Sequence, residues 1–239
     1  MARGVAIVDF RHIGQGDIAL VGGKGASLGE MTQAGLAVPP GFIITANGYR
    51  DFFKGSGLKK TILAMLAKVK PDEMRSLAAA ARQIQKQILL TPIPADLRAR
   101  IEVAYRHLVH VTGRGIAVAV RPSVASEIAP ETNFAGQLET YLNVIGADAV
   151  TRAVHQSWAS LFDAHAIYYR LTHKLDHFAL DVAVVVQTMV AADKAGVMFT
   201  ANPLRNGPDE IVIEAARGLG EVVVRGTITP DRYVVSKSE

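Results

Sequence analysis

The stretch that most restricts what this chain can fold into is residues 116–144. A short apolar run, residues 116–120, reads as a buried strand and ends on Arg121. A long polar loop follows, then Gly136, then a second strand that alternates through Leu138, Thr140 and Leu142. The pattern puts an arginine at the mouth of a sheet and covers it with a flexible loop. A guanidinium offers a planar fork of donors suited to phosphate oxygens. The same arginine could instead pair with a loop acid, Glu127 or Glu131, since structural ion pairs also shape such sites.

A second region invites an anion. Residues 5–8 read as a strand, and the segment Gly22-Gly23-Lys24-Gly25-Ala26-Ser27-Leu28-Gly29 comes after it. This is not a P-loop, because no Ser or Thr directly follows the lysine, and it is not a dinucleotide fingerprint. Glycines ahead of a helix nevertheless let backbone approach an anion, and helix N-termini attract phosphate. Residues 26–33 are the expected helix, closed by Gly35. Lys24 is then either a phosphate contact or a solvated lysine in a turn.

Pro39-Pro40-Gly41 marks a hard turn, and residues 42–45 read as a strand. Met74, Leu77, Ala81, Ile84 and Ile88 recur at helical spacing, as do Leu97, Ile101, Tyr105 and Leu108, with Gly113 as a stop. Residues 58–112 therefore read as scaffold. Residues 147–172 read as one long helix, with Trp158 and Phe162 assigned to the core. Residues 181–190 are the most β-like run, interrupted by Gln187, which is either a satisfied core amide or a ligand contact. Residues 196–200, 210–215 and 233–236 read as further strands.

Composition narrows the function. The 26 basic and 22 acidic side chains leave a net charge of only +4, and aromatics are 6%, which argues against nucleic-acid binding. The absence of cysteine removes disulfides, thiolate metal sites and cysteine nucleophiles. The seven histidines lack metal-site spacing, so no metal ligand is assigned. No signal-like N-terminus or membrane-length apolar run is present, and a cytoplasmic location is expected.

Several stretches taken together resemble one family. They are Gly22–Leu28 with Pro39-Pro40-Gly41-Phe42, Val118-Ala119-Val120-Arg121, Asn133-Phe134-Ala135-Gly136-Gln137-Leu138-Glu139-Thr140, Trp158–Phe162, Val186–Val190, Gly196–Thr200 and Gly218–Glu221. In this order they are similar to the N-terminal nucleotide-binding domain of phosphoenolpyruvate synthase (pyruvate, water dikinase), among the phosphoenolpyruvate-utilising enzymes. The Phe-Ala-Gly-Gln-Leu-Glu-Thr form is also similar to rifampin phosphotransferases. The resemblance implies an α+β, ATP-grasp-like domain of two lobes, residues 1–187 and an incomplete second lobe at 188–239. It implies ATP as ligand and a phosphoryl group passed to a histidine on another domain.

Position by position, the resemblance implies that Lys24 and Arg121 grip the phosphates and serve catalysis. Gly136 and Thr140 would line the phosphate loop and its strand, and Gln187, at the hinge between lobes, would meet the adenine. Where family members usually carry two serines after the arginine, this chain has Pro122 before Ser123, and the proline removes one backbone donor. The family's metal-binding acid and its phosphohistidine and pyruvate-binding domains find no counterpart here. Mg2+ is therefore expected only with the complete enzyme, and the chain is expected to be inactive alone. Uncovered strand edges would favour a homodimer or a poorly soluble monomer. A non-catalytic ATP-binding module and the nucleotide domain of a rifampin phosphotransferase are the alternatives.

Overall fold

The valine-rich run near residue 185 lies at the middle of a sheet that is covered on both faces. The computed structural model describes residues 4–70, 73–125, 138–205 and 207–238. Its mixed helices and strands fall into two compact units, Met1–Met189 and Val190–Glu239. The first unit contains β1 (Ile7–Asp9), α1 (Ile18–Gln33), β2 (Gly41–Ile44), α2 (Ala46–Phe53), α3 (Leu58–Leu66), α4 (Met74–Leu90) and α5 (Ala95–Thr112). It continues through β3 (Val118–Ala125), β4 (Tyr141–Val144), α6 (Ala147–Ser160), α7 (Ala164–Thr172) and β5 (Asp181–Thr188). The five strands form an antiparallel sheet in the order β1-β2-β5-β3-β4.

Residues 182–186 of β5 are all buried, because each face of the sheet carries its own layer. Val182, Val184 and Val186 point into the large core under the helical block α2–α7, while Ala183 and Val185 join Val21, Ala26 and Ile43 beneath α1. A strand covered on both sides loses the apolar–polar alternation of a half-exposed one. The helical block packs as the sequence periodicity dictates. Leu77, Ala81, Ile84 and Ile88 of α4 and Leu97, Ile101, Tyr105 and Leu108 of α5 are buried, each large aliphatic side chain contributing about 1.5–3 kcal/mol. Met74, assigned to the same face from its spacing, is exposed at the first turn of α4. Trp158 is fully buried, with its ring centroid 5.0 Å from that of Phe52.

Several boundaries differ from those read in the sequence. The long helix expected over 147–172 is two helices, because Asp163 starts a new one by accepting a hydrogen bond from the Ala166 N–H at 2.6 Å. The strand expected to end on Arg121 runs on to Ala125, so that Arg121 sits within β3. Its partner begins at Tyr141 rather than Leu138, which leaves Thr140 just outside β4. The helix expected at residues 26–33 starts at Ile18.

In the second unit, β6 (Lys194–Phe199), β7 (Glu210–Arg217) and β8 (Asp231–Ser236) form an antiparallel sheet in that order, with the short helix α8 (Glu221–Val224) between β7 and β8. That helix has no counterpart in the sequence reading. Met198, Leu204, Val224 and Tyr233 are exposed on this unit.

The end of α7 carries a buried cation held by neutral acceptors. Arg170 is 2% exposed; its Nη2 donates to the Leu161 carbonyl at 2.7 Å and its Nε to His177 Nδ1 at 3.2 Å. Burial, then the neighbouring guanidinium, lower the His177 pKa from 6.5 to about 4. Between those values the unfolded chain holds the proton that the folded chain refuses. Stability therefore rises with pH across this window and is lost as pH falls from 6.5 towards 4. His177 is half exposed, so solvent screening reduces the loss to about 1–2 kcal/mol. His177→Gln keeps an acceptor for Arg170 but cannot titrate. Urea denaturation at pH 7 and pH 4.5 should show a smaller stability difference for this variant than for the wild-type chain.

Candidate functional site

Strand register decides which side chains share a face. In an antiparallel ladder directly paired residues point to the same side, and so do residues two apart along a strand. Arg121 pairs with Val185, Ser123 with Ala183, and Ala119 with Gln187. Val185 and Ala183 face α1. Arg121, Ser123 and Gln187 therefore all project from the sheet towards the side that carries the glycine-rich segment. Gln187 lies one same-face step along the ladder from Arg121, roughly 7 Å by strand rise.

The glycine-rich segment meets β3 at close range. Helix α1 is kinked at Gly22, whose φ of 70° and ψ of 169° belong to a region open almost only to glycine. A Cβ on Gly22 would stand 2.2 Å from Ser123 Oγ and 2.6 Å from the Val124 carbonyl oxygen, so only a glycine lets the two backbones come this near. The helix restarts after the kink, which puts Lys24 in its new first turn. The lysine reaches β3, where its Nζ donates to the Pro122 carbonyl at 3.0 Å. The residue that removes a backbone donor from this strand thus supplies an acceptor to the lysine. Proline is tolerated there because, among the described residues, β4 pairs with β3 only at Val118–Val120, leaving this end of β3 as an edge.

Two cations are thereby brought together. Most of the Lys24 residue is exposed, but its ammonium is partly screened against β3; that desolvation, followed by repulsion from Arg121, lowers the lysine pKa. Among the described residues Arg121 is exposed and pairs with no acid. Glu127 and Glu131, the acids that could pair with it, lie outside the described residues, as does Gly136.

The other candidates are placed as follows. Gln187 is buried, and its Nε2 donates to the Pro39 carbonyl at 3.1 Å, so the Pro-Pro-Gly turn fixes the amide. Thr140 is half-buried and lines a cavity of about 610 Å³ with Tyr141, Arg152 and Gln156. A second cavity of about 410 Å³, lined mainly by apolar groups of β1, β2 and α5, contains none of the candidate residues. Among the described residues no three His, Asp or Glu side chains gather as a metal-binding group. Histidines with defined contacts among the described residues have structural ones: His155 Nε2 lies 2.7 Å from the Ile88 carbonyl, His173 Nδ1 lies 2.9 Å from the Tyr169 carbonyl, and His177 accepts from Arg170. Sequence reasoning gave no role to Ser123, which is buried and touches the glycine segment. The paired glycines before Lys24 were a signal of close backbone approach, but nothing in their spacing named the strand approached.

Comparison with known proteins gives the family. The family description "Pyruvate phosphate dikinase, AMP/ATP-binding domain" matches residues 18–239. The chain belongs to this family. As a member of the pyruvate phosphate dikinase AMP/ATP-binding domain family, it is 48% identical over 222 residues to a probable phosphoenolpyruvate synthase of Methanocaldococcus jannaschii, covering 92% of this chain and 19% of that protein. It is 44% identical over 229 residues to a probable phosphoenolpyruvate synthase of Methanothermobacter thermautotrophicus, covering 95% of this chain and 33% of that protein. To the phosphoenolpyruvate synthase of Pyrococcus furiosus it is 39% identical over 261 residues, covering 95% of this chain and 32% of that protein. The chain thus spans a third or less of the length of these relatives. No helix among the described residues is long and apolar enough to cross a membrane.

Proposed function

We propose that this chain is the ATP-binding part of a phosphoenolpyruvate synthase-like dikinase, in which ATP is split and a phosphoryl group passes to a histidine on another domain of the whole protein, for use in converting pyruvate to phosphoenolpyruvate. The observation that carries the reading is the convergence of Lys24 and Arg121, which stand 97 residues apart in sequence, on one face of the sheet. Held side by side, they repel each other until an anion arrives. A polyphosphate meets that need, since phosphoryl transfer depends on positioning and charge neutralisation more than on covalent work by the protein. Family membership and relatives named phosphoenolpyruvate synthase support the same conclusion.

In this reading Lys24 and Arg121 hold the phosphates, Gly136 and Thr140 belong to the phosphate loop and the strand after it, and Gln187 faces the adenine. The two units correspond to a first ATP-grasp-like lobe and part of a second. In the same reading Mg2+ accompanies ATP in the complete enzyme, where phosphate oxygens and one or two carboxylates would hold it.

Calorimetric titration tests the reading. The chain should bind ATP more tightly than adenosine by at least ten-fold, with the difference shrinking as salt rises, and should show no phosphoryl transfer to added pyruvate by itself. Equal affinities for ATP and adenosine, or no binding of ATP at millimolar concentration, would overturn it.

A further inference from the structure

The restart of α1 after Gly22 is a helix N-terminus whose cap position holds a glycine. A helix start leaves its first N–H groups without partners inside the helix, and a Ser, Thr, Asp or Asn at the cap position usually accepts from the second or third of them. With Gly22 at the cap position, Gly23, Lys24 and Gly25 are the first, second and third helical residues. Gly22 has no side chain to offer. The Gly25 N–H, at the third position, instead donates to Ser123 Oγ at 3.4 Å. The same Oγ lies 2.2 Å from where a Gly22 Cβ would stand, which is the space that a cap residue's own side chain would fill.

We propose that Ser123 is a positioning residue: from β3 it supplies the helix cap that Gly22 lacks, and so fixes the turn that carries Lys24 beside Arg121. This deepens the ATP-binding reading and rests on it. Three consecutive residues of β3 then serve the same anion in different ways. Arg121 gives a cation, the Pro122 carbonyl holds the Lys24 ammonium at 3.0 Å, and the Ser123 hydroxyl holds the backbone one residue further on. Ser123 is 1% exposed, so its hydroxyl is shielded from water and does not itself meet the nucleotide. It acts through Lys24. The device also explains why a glycine occupies the cap position: any side chain there would collide with the oxygen that replaces it.

The test uses Ser123→Ala in the full chain, which removes the acceptor and adds no volume. Amide hydrogen exchange at Gly25 should become faster, with exchange in the C-terminal half of α1 unchanged. ATP affinity should fall roughly five-fold, the ratio to which loss of a typical cap, about 1 kcal/mol, converts. Adenosine affinity should not change, whereas a merely structural defect would weaken both ligands. Unchanged exchange at Gly25 would overturn the cap, and equal losses for ATP and adenosine would overturn the positioning role. Arg121→Ala in parallel separates the two levels. If Arg121→Ala weakens ATP binding and Ser123→Ala does not, only the positioning role fails. If neither variant changes it, or the wild-type chain binds no ATP, the nucleotide reading fails and the positioning role fails with it, while exchange at Gly25 still decides the cap.

Discussion

Gly22→Ala should cost the chain about 3–5 kcal/mol of stability, the sum of backbone strain and forced overpacking. Both parts are visible at the kink. The backbone there has a φ of 70° and a ψ of 169°, a combination that an L-residue adopts only under strain. The added methyl would meet Ser123 Oγ at 2.2 Å, the Val124 carbonyl oxygen at 2.6 Å and the Ser123 carbonyl oxygen at 2.7 Å. Two of those three atoms are backbone of β3, which is anchored to the central strand along its whole length, so they cannot swing aside as the tip of a long side chain could. Gly35→Ala is the matched control. Its φ is also positive, at 75°, but a Cβ there meets nothing within 4 Å, so it should cost only about 1–2 kcal/mol. Urea denaturation of the two variants measures the difference. Equal losses would mean that conformation alone governs Gly22 and that α1 is not seated tightly on β3.

The contrast between those two glycines shows where the sequence was informative. Period alone located the helical scaffold, because α4 and α5 bury apolar stripes at spacings of three and four. It located β5 as well, because a run of five buried residues covered on both faces must be apolar throughout. The breaks were harder to see. Asp163 splits α6 from α7 by capping a new helix inside a continuous helical pattern, and a single capping side chain does not disturb hydrophobic period. Likewise the extension of β3 through Arg121, Pro122 and Ser123 looks like loop sequence, since a proline and two polar residues argue against a buried strand. They fit because the sheet ladder to β5 persists there while the opposite edge is open among the described residues. Lys24 and Arg121 could be singled out by chemistry in the sequence, but their adjacency depends on a helix kink and a strand register. Those are tertiary facts that no local pattern encodes.

That adjacency makes the second large effect one of opposite signs. Arg121→Ala and Lys24→Ala should each weaken ATP binding about 10- to 100-fold, the range that follows from losing a charged hydrogen bond worth about 1.5–3 kcal/mol. Neither should lower the stability of the ligand-free chain. Burial and the neighbouring guanidinium depress the Lys24 pKa below its ordinary 10.5, so the folded state holds the lysine proton less firmly than the unfolded state does. The charged lysine therefore opposes folding at neutral pH, and stability recovers as pH rises through its lowered pKa towards 10.5. Removing Arg121 takes away part of that penalty. The Arg121→Ala chain should be as stable as the wild type or more so at pH 7, with a shallower gain in stability at alkaline pH. The double variant should lose a different amount of ATP affinity from the sum of the two single losses, because each cation changes the cost of the other in the free chain. Strict additivity of the two losses would place the cations on separate ligand groups with no mutual repulsion. A loss of more than about 1 kcal/mol of stability in Arg121→Ala, with ATP affinity untouched, would make the arginine a structural residue and remove the basis for a phosphate site on this face.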